Sequence, residues 1–351
     1  MGQFAALRTQ KIESFEDFDE VVQGSRREIL QVESGKFAGQ LSHASIGDLP
    51  VDAATFNLGL RSTGASVRDR TSIAMLTGSA DRATWSSYEL HTGDTLVMPP
   101  NEEHENRYYG GASIFVISVS EADIASSFGS EPQLGDSPAW RRNHFKGDAV
   151  TVQRTIPRLQ SLVTRLGQVS PSAQAAEFWK RAVIESMTAN IVMGSPSGRD
   201  GPLPSALKVV RRVEEYLDAF GSGPIHISQI CGHLHVSRRT LHRAFNEALG
   251  IGPIAFLRHR RLCAIHKMLR SSPTVHQSIS DLAMQFGFQN LGRFAGYYHH
   301  LFGEYPSETR QRHRRHLNLP VVGQITFGPD VALSSPSHKN IPLNLSGKSV
   351  A

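Results

Sequence analysis

The period of the hydrophobic positions changes twice along the chain. From Phe37 to Val119, apolar residues come in short alternating runs: Phe37–Ala44, Ala54–Leu60, Ser72–Leu76, Thr95–Met98 and Ser113–Val119. Gly47-Asp48, Gly64, Gly93-Asp94 and Gly110-Gly111 punctuate them. Runs this short, broken by glycine, read as strands and turns. Their rhythm predicts a small antiparallel sandwich or barrel. Ahead of them, Phe15–Val22 has apolar residues at helical spacing behind a capping Ser14, so residues 1–35 are expected to be a lead-in with one helix. Beyond Val119 comes a Gly/Ser/Pro-rich stretch to about Ala139, and then the spacing becomes three to four. Ile156, Leu159, Leu162, Val163 and Leu166 make one stripe. Phe178, Ala182, Ile184, Met187 and Ile191 make a longer one. These predict two helices, each with an apolar face that can cap the barrel.

Residues 194–204, Gly-Ser-Pro-Ser-Gly-Arg-Asp-Gly-Pro-Leu-Pro, read as a linker and the clearest boundary in the chain. Ser205 then caps a helix with Leu207, Val210, Val213 and Leu217 on one face. Between Ile227 and Arg310 one pattern occurs twice: a short helix, a tight turn and a second helix, over 227–249 and 279–302. In the first copy Ile230 and Leu234 form a buried stripe and Val236 plugs the turn. Ser237 is a good N-cap, because its hydroxyl accepts from a free backbone N–H. Leu241, Phe245 and Leu249 continue the stripe, which leaves Arg238, Arg239, His242, Arg243 and Asn246 outward. In the second copy Ile279, Leu282, Ala283 and Phe286 pack, Gly287 allows the turn and Phe288 plugs it. Asn290 caps a helix whose apolar points are Phe294, Tyr298 and Leu301. From about Leu317 the chain loses all periodicity, and residues 317–351 are expected to be a disordered tail.

Ile279 to Ala283, Gly287-Phe288, Phe294, Phe302-Gly303, Pro306-Ser307 and Arg310 resemble the signature of the AraC/XylS transcriptional regulators. Ser237, Leu241, Arg243, Phe245 and Gly250 of the first copy fit as well, followed by Arg261-Leu262 and Ala264. The resemblance spans roughly residues 205–315. It implies two helical subdomains joined by one long helix, reading major-groove segments about one helical turn apart. Carried over residue by residue, it assigns base contacts to Arg239, His242 and Arg243, and phosphate contact to Arg238. Arg239 and Arg243 suit the O6 and N7 acceptors of guanine. In the second copy the matching positions are Gly292, Arg293 and Gly296, so Arg293 remains as the direct reader, with Gln289 and Asn290 near the backbone. The first subdomain is therefore expected to supply most discrimination. The stretch Leu291–Tyr298 with Phe302-Gly303-Glu304 also resembles the subgroup that includes the ethanolamine-operon regulator.

Charge supports this division. Residues 1–202 carry 19 basic and 24 acidic side chains, whereas residues 203–316 carry 16 and 7. The basic half is the helix-turn-helix half, as phosphate binding requires. The same half holds 11 of the 16 histidines. Two cysteines, Cys231 and Cys263, fall inside predicted helices without metal-ligand spacing and are expected to be buried free thiols. No signal segment or long apolar run is present, so a soluble cytoplasmic protein is expected, with no membrane partner; the family makes it bacterial.

Gly93, Pro99 and His104 resemble the second motif of the cupin barrel. Thr77–Leu90, where a first motif would lie, has no His-x-His, so neither a metal nor any other cofactor is expected. A small-molecule effector pocket is expected instead, with Phe56, Trp85, Tyr88 and Tyr108 as candidate walls and His104 as its polar anchor. Taken together the sequence predicts an α+β protein. It has a cupin-like antiparallel sensing and dimerisation domain over 1–193 and an all-α DNA-binding domain over 205–316. The function expected is an effector-controlled, homodimeric activator that binds promoter DNA and recruits RNA polymerase to a catabolic operon. The alternative is a cupin-type enzyme with an accessory DNA-binding half; no nucleophile–base set or phosphate loop supports it.

Overall fold

The computed structural model describes residues 5–20, 27–86, 88–128, 144–168, 171–193, 205–220, 224–271 and 277–316. The linker at 194–204 and the tail from 317 lie outside them, as does the stretch 129–143. The glycine punctuation is used as the sequence suggests. Strands β3 (Gly39–Ile46) and β4 (Leu49–Phe56) pair from Gly39↔Phe56 to Ile46↔Leu49 around Gly47-Asp48. Gly47 has φ +62°, a left-handed conformation suited to a tight hairpin.

Two antiparallel sheets face each other. The first has the order β1 (Ala5–Ile12), β3, β4, β11 (Ala112–Val119), β6 (Thr71–Ser79), β9 (Thr95–Met98) and β12 (His144–Phe145). The second has the order β2 (Arg27–Gln31), β5 (Leu60–Ala65), β10 (Glu103–Tyr108), β7 (Ala83–Trp85) and β8 (Tyr88–Leu90). Phe56, Leu76 and Met98 of the first sheet share one apolar cluster with Leu60, Trp85 and Tyr108 of the second. The outer face of the first sheet is apolar too. Val51, Ile73, Val97, Phe115 and Ile117 pack there against two helices, α2 (Ala149–Leu166) and α3 (Ala173–Met193), which follow α1 (Glu121–Phe128). A sheet covered on both faces needs continuous apolar strands, which is why 113–119 stands out in the sequence.

Several expectations are corrected. The lead-in is not one helix: β1 pairs with β3 over eight residues, and Phe15–Glu20 is a 3-10 helix. The Asp17 carboxylate accepts from the Ser14 backbone N–H at 3.2 Å and tightens that turn. β4 begins five residues before the expected 54, because Pro50 and Asp52 hide its alternation. β2, β5, β7, β8 and β10 were not expected at all. On α3 the buried face is Ala176, Val183, Ile184, Met187 and Ile191, while Phe178, placed on that stripe by spacing, is 70% exposed.

The C-terminal helices follow the sequence closely. α4 (Ser205–Phe220) buries Ala206, Val210, Val213 and Leu217. α5 (Ile227–Leu234) and α6 (Arg238–Leu249) form the first helix-turn-helix, and α7 (Pro253–Ser271) connects it to the second, α8 (Ile279–Gln285) and α9 (Leu291–Phe302). α10 (Pro306–His316) closes the series. Gly287 has φ +80°, and a Cβ there would stand 2.7 Å from the Pro224 ring, so the turn needs glycine twice over. Cys263 is buried and Cys231 only partly; both are free. The two halves are not separate cores: Phe256, Leu262 and Phe302 belong to the same apolar cluster as the barrel interior.

Candidate nucleic-acid interface and effector cavity

Each recognition helix is fixed at both ends. The Ser237 hydroxyl accepts from Thr240 N at 3.0 Å, and Asn290 Oδ1 accepts from Arg293 N at 2.9 Å. Gly250 and Gly303 end α6 and α9 in the left-handed conformation, each N–H returning to a carbonyl of the last turn. Their apolar faces are buried by Leu241, Ala244, Phe245 and Leu249 on α6 and by Phe294, Tyr298, Leu301 and Phe302 on α9. Rotation about each axis is thereby set, and the opposite face must be open. Arg238, Arg239, His242, Arg243 and Asn246 are exposed on α6; Gln289, Asn290 and Arg293 are exposed at the start of α9. No carboxylate among the described residues pairs with Arg239, Arg243 or Arg293. Open guanidinium groups on the N-terminal turns of a capped helix are what major-groove reading requires.

The other side of this helical half rests on the second sheet. On the outward side of this sheet Arg61 of β5 and Glu105 and Arg107 of β10 are charged and buried, facing α4 and α6. Arg61, 2% exposed, donates to Glu105 at 3.0 Å and to Glu214 of α4 at 2.6 Å. Burial opposes the Arg61 charge, and the Glu214 and Glu105 carboxylates outweigh it, so its pKa is raised. Arg107 forms an ion pair with no carboxylate among the described residues. It donates to the Tyr108 and Leu249 carbonyls and stacks on Tyr109, while the Tyr109 hydroxyl donates to the Ala248 carbonyl at 3.0 Å. Burial pushes Arg107 down to about 10, so it stays charged at neutral pH. Ala248 and Leu249 are the last residues of α6, where a helix favours a cation. The barrel thus grips the C-terminal end of α6 and leaves its arginine face free.

A second junction lies at the lead-in. His266 of α7 is sandwiched by Phe15, Tyr298 and Phe302. Its Nδ1 lies 2.5 Å from Glu16 and its Nε2 3.6 Å from Glu304. Burial lowers its pKa and the Glu16 charge and both hydrogen bonds raise it; the net direction is up. For Glu304, burial is outweighed by His266, Thr309 and Arg312, which hold the carboxyl at about 2.

Between the two sheets is a cavity of about 60 Å³. Phe56 and Tyr108 line it. Trp85, Tyr88 and His104 are buried but are not among its walls. Trp85 and Tyr88 stack on each other with centroids 5.9 Å apart, and His104 Nδ1 lies 3.3 Å from the Glu102 carbonyl. Two polar wall residues, Ser62 and Asn106, were not singled out in the sequence. Among the described residues no group of His, Cys, Asp and Glu could hold a metal ion, and no helix is long and apolar enough to cross a membrane.

The family model described as a helix-turn-helix domain matches residues 230–312. The chain is similar to the probable thc operon regulatory protein of Rhodococcus erythropolis, 33% identical over 107 residues, covering 30% of this chain and 32% of that protein. It is 22% identical to the XylDLEGF operon transcriptional activator 3 of Pseudomonas putida over 296 residues, covering 80% and 84%. It is 34% identical to the HTH-type transcriptional activator RhaR of Pectobacterium carotovorum over 230 residues, covering 64% and 77%. The chain therefore spans about a third of the first relative and more than three quarters of the other two.

Proposed function

This chain belongs to the AraC/XylS family of transcriptional regulators, and from that premise we propose that it activates a catabolic operon in answer to a small molecule. It is a DNA-binding regulator. Promoter DNA is read by α6 and α9, through Arg239, His242 and Arg243 on the first and Arg293 on the second. Arg238, Asn246, Gln289 and Asn290 place the helices on the phosphate backbone. The observation that carries this reading is the pair of capped helices with one face buried and the arginine face open and unpaired.

The barrel holds the effector, and the second sheet carries its presence to the reader. That sheet faces the cavity with Ser62 and Asn106 and grips α4 and α6 with Arg61, Glu105 and Arg107. The protein acts in the cytoplasm as a homodimer. Support for the dimer is the α2/α3 pair: an open groove of about 580 Å³ runs along it, lined by Leu162, Trp179 and the protruding Phe178. DNA-bound dimer then recruits RNA polymerase. The relatives named above are regulators, which favours a regulatory role over a cupin-type enzyme.

Footprinting of the purified protein on its own upstream intergenic DNA, with scrambled DNA as control and at two salt concentrations, tests the reading. Protection of a pair of sites of about 17–20 base pairs, each about two helical turns, is expected. Equal binding to scrambled DNA, lost steeply with salt, would mean phosphate attraction alone.

A further inference from the structure

One cross-strand row inside the barrel is polar and open. Ser62 of β5 and Asn106 of β10 are register partners, so both point to the same side of the second sheet. Both are buried, at 7% and 8% exposure, and both line the cavity. Ser62 Oγ and Asn106 Oδ1 have no hydrogen-bond partner among the described residues. Trp85 of β7 is the next register partner of Asn106, and its Nε1 is open in the same sense. Buried polar atoms are nearly always paired. Two open ones on the wall of a hollow point to an occupant that pairs them.

The rest of the wall limits what that occupant is. It is apolar apart from the Tyr108 phenol, with residues such as Phe18, Phe56, Leu76 and Met98, and among the described residues it includes no Lys, Arg, His, Asp or Glu. A carboxylate or an ammonium would lose its hydration with no counter-charge to meet it. A hydrocarbon would leave Ser62 and Asn106 open. A polyol would bring more hydroxyls than two residues can satisfy. The Ser62 hydroxyl gives or takes a hydrogen bond, and the Asn106 amide, by turning over, presents either its oxygen or its NH2. The cavity, about 60 Å³, is well below the roughly 150 Å³ that accepts benzene in an engineered protein interior. Scaled from benzene's six heavy atoms, the occupant then has roughly two to four.

Resting on the reading of the barrel as the effector domain, we infer that the effector is a short uncharged molecule with an apolar body and one group that both donates and accepts, an aliphatic amide or alcohol, held by Ser62 and Asn106. Full-length protein labelled at its methionine methyl groups with 13C tests this. Met98 lines the cavity, whereas Met187 lies on α3 and Met284 is exposed on α8. The probes are acetamide, its isosteric anion acetate, and propane. Acetamide is expected to shift the Met98 methyl saturably and to leave Met284 in place. Ser62→Ala and Asn106→Ala should each weaken it about five- to tenfold, the worth of one hydrogen bond. Ala74→Leu, which adds three carbons to the cavity wall, should abolish the shift with the Met187 signal unchanged as proof of folding. Equal response to acetate or propane, no response to any probe, or unchanged affinity in both alanine variants would overturn the assignment. The footprint is run on the same preparation. A specific footprint with a silent Met98 sinks only the effector class. A responsive Met98 without a specific footprint sinks the DNA reading and leaves the cavity assignment standing.

Discussion

Arginine does two unlike jobs in this chain, and the sequence around each shows only one of them. Arg239, Arg243 and Arg293 follow an N-cap on an amphipathic helix, so helical spacing alone turns them outward. Replacing Arg239 with Ala should relax discrimination at one base by about 1–3 kcal/mol in competition against single-base operator variants. Arg293→Ala should have a smaller effect, since Gly292 and Gly296 leave it few side chains to act with. Equal loss on every sequence would reassign both to phosphate. Arg61 and Arg107 are the other kind. They sit in strands whose polar character hides them, and nothing nearby in sequence announces Glu214, the partner of Arg61 across 153 positions. Glu214→Ala would leave the buried Arg61 charge with Glu105 alone. We expect a loss of about 3 kcal/mol in urea unfolding, because breaking a buried pair exposes the cost of desolvating its charge.

Among the elements, those with one wet face were legible and those with two covered faces of mixed chemistry were not. α6 and α9 show a clean stripe, and the capping residues Ser237 and Asn290 stand where their hydroxyl and amide are needed. β5 and β10 alternate between a cavity wall and a charged interface, so both faces carry polar residues and neither period survives. The 3-10 helix at Phe15–Glu20 is held by the junction it makes. Its Glu16 meets His266, and a pH dependence follows with a definite sign. The folded His266 pKa is raised, so its contribution is complete below the unfolded value, about 6.5, and is lost as pH rises through the folded one. Melting temperatures of the protein and of His266→Gln should differ most near about pH 6 and converge as pH climbs. Glu304 works in the opposite sense: held at about 2, its share is present above the ordinary carboxylate range and goes only as pH falls toward that value. A gap that grew with rising pH would mean that His266 is buried neutral.

For the whole molecule, the open α2/α3 face carries the expectation of a dimer. Phe178→Glu should convert it to a monomer in sedimentation experiments and leave the melting temperature near that of the parent, since the side chain is 70% exposed. A dimer that survives this change would have to pair elsewhere. At this scale the division between sequence and structure is plain. The sequence by itself determined the class of fold, the two helix-turn-helix units, their caps and the outward arginine face of the second helix of each. Those features depend on contacts within a dozen residues, where helical period and capping chemistry act directly. Only the tertiary structure decided that the reader is seated on the second sheet, and that Arg107 holds the end of α6. It alone set Phe56, Ser62 and Asn106 on one cavity while Trp85, Tyr88 and His104 pack beside it. Those facts arise from pairing between distant strands, where a residue's chemistry is set by whichever surface closes over it, and no local pattern records which surface that is.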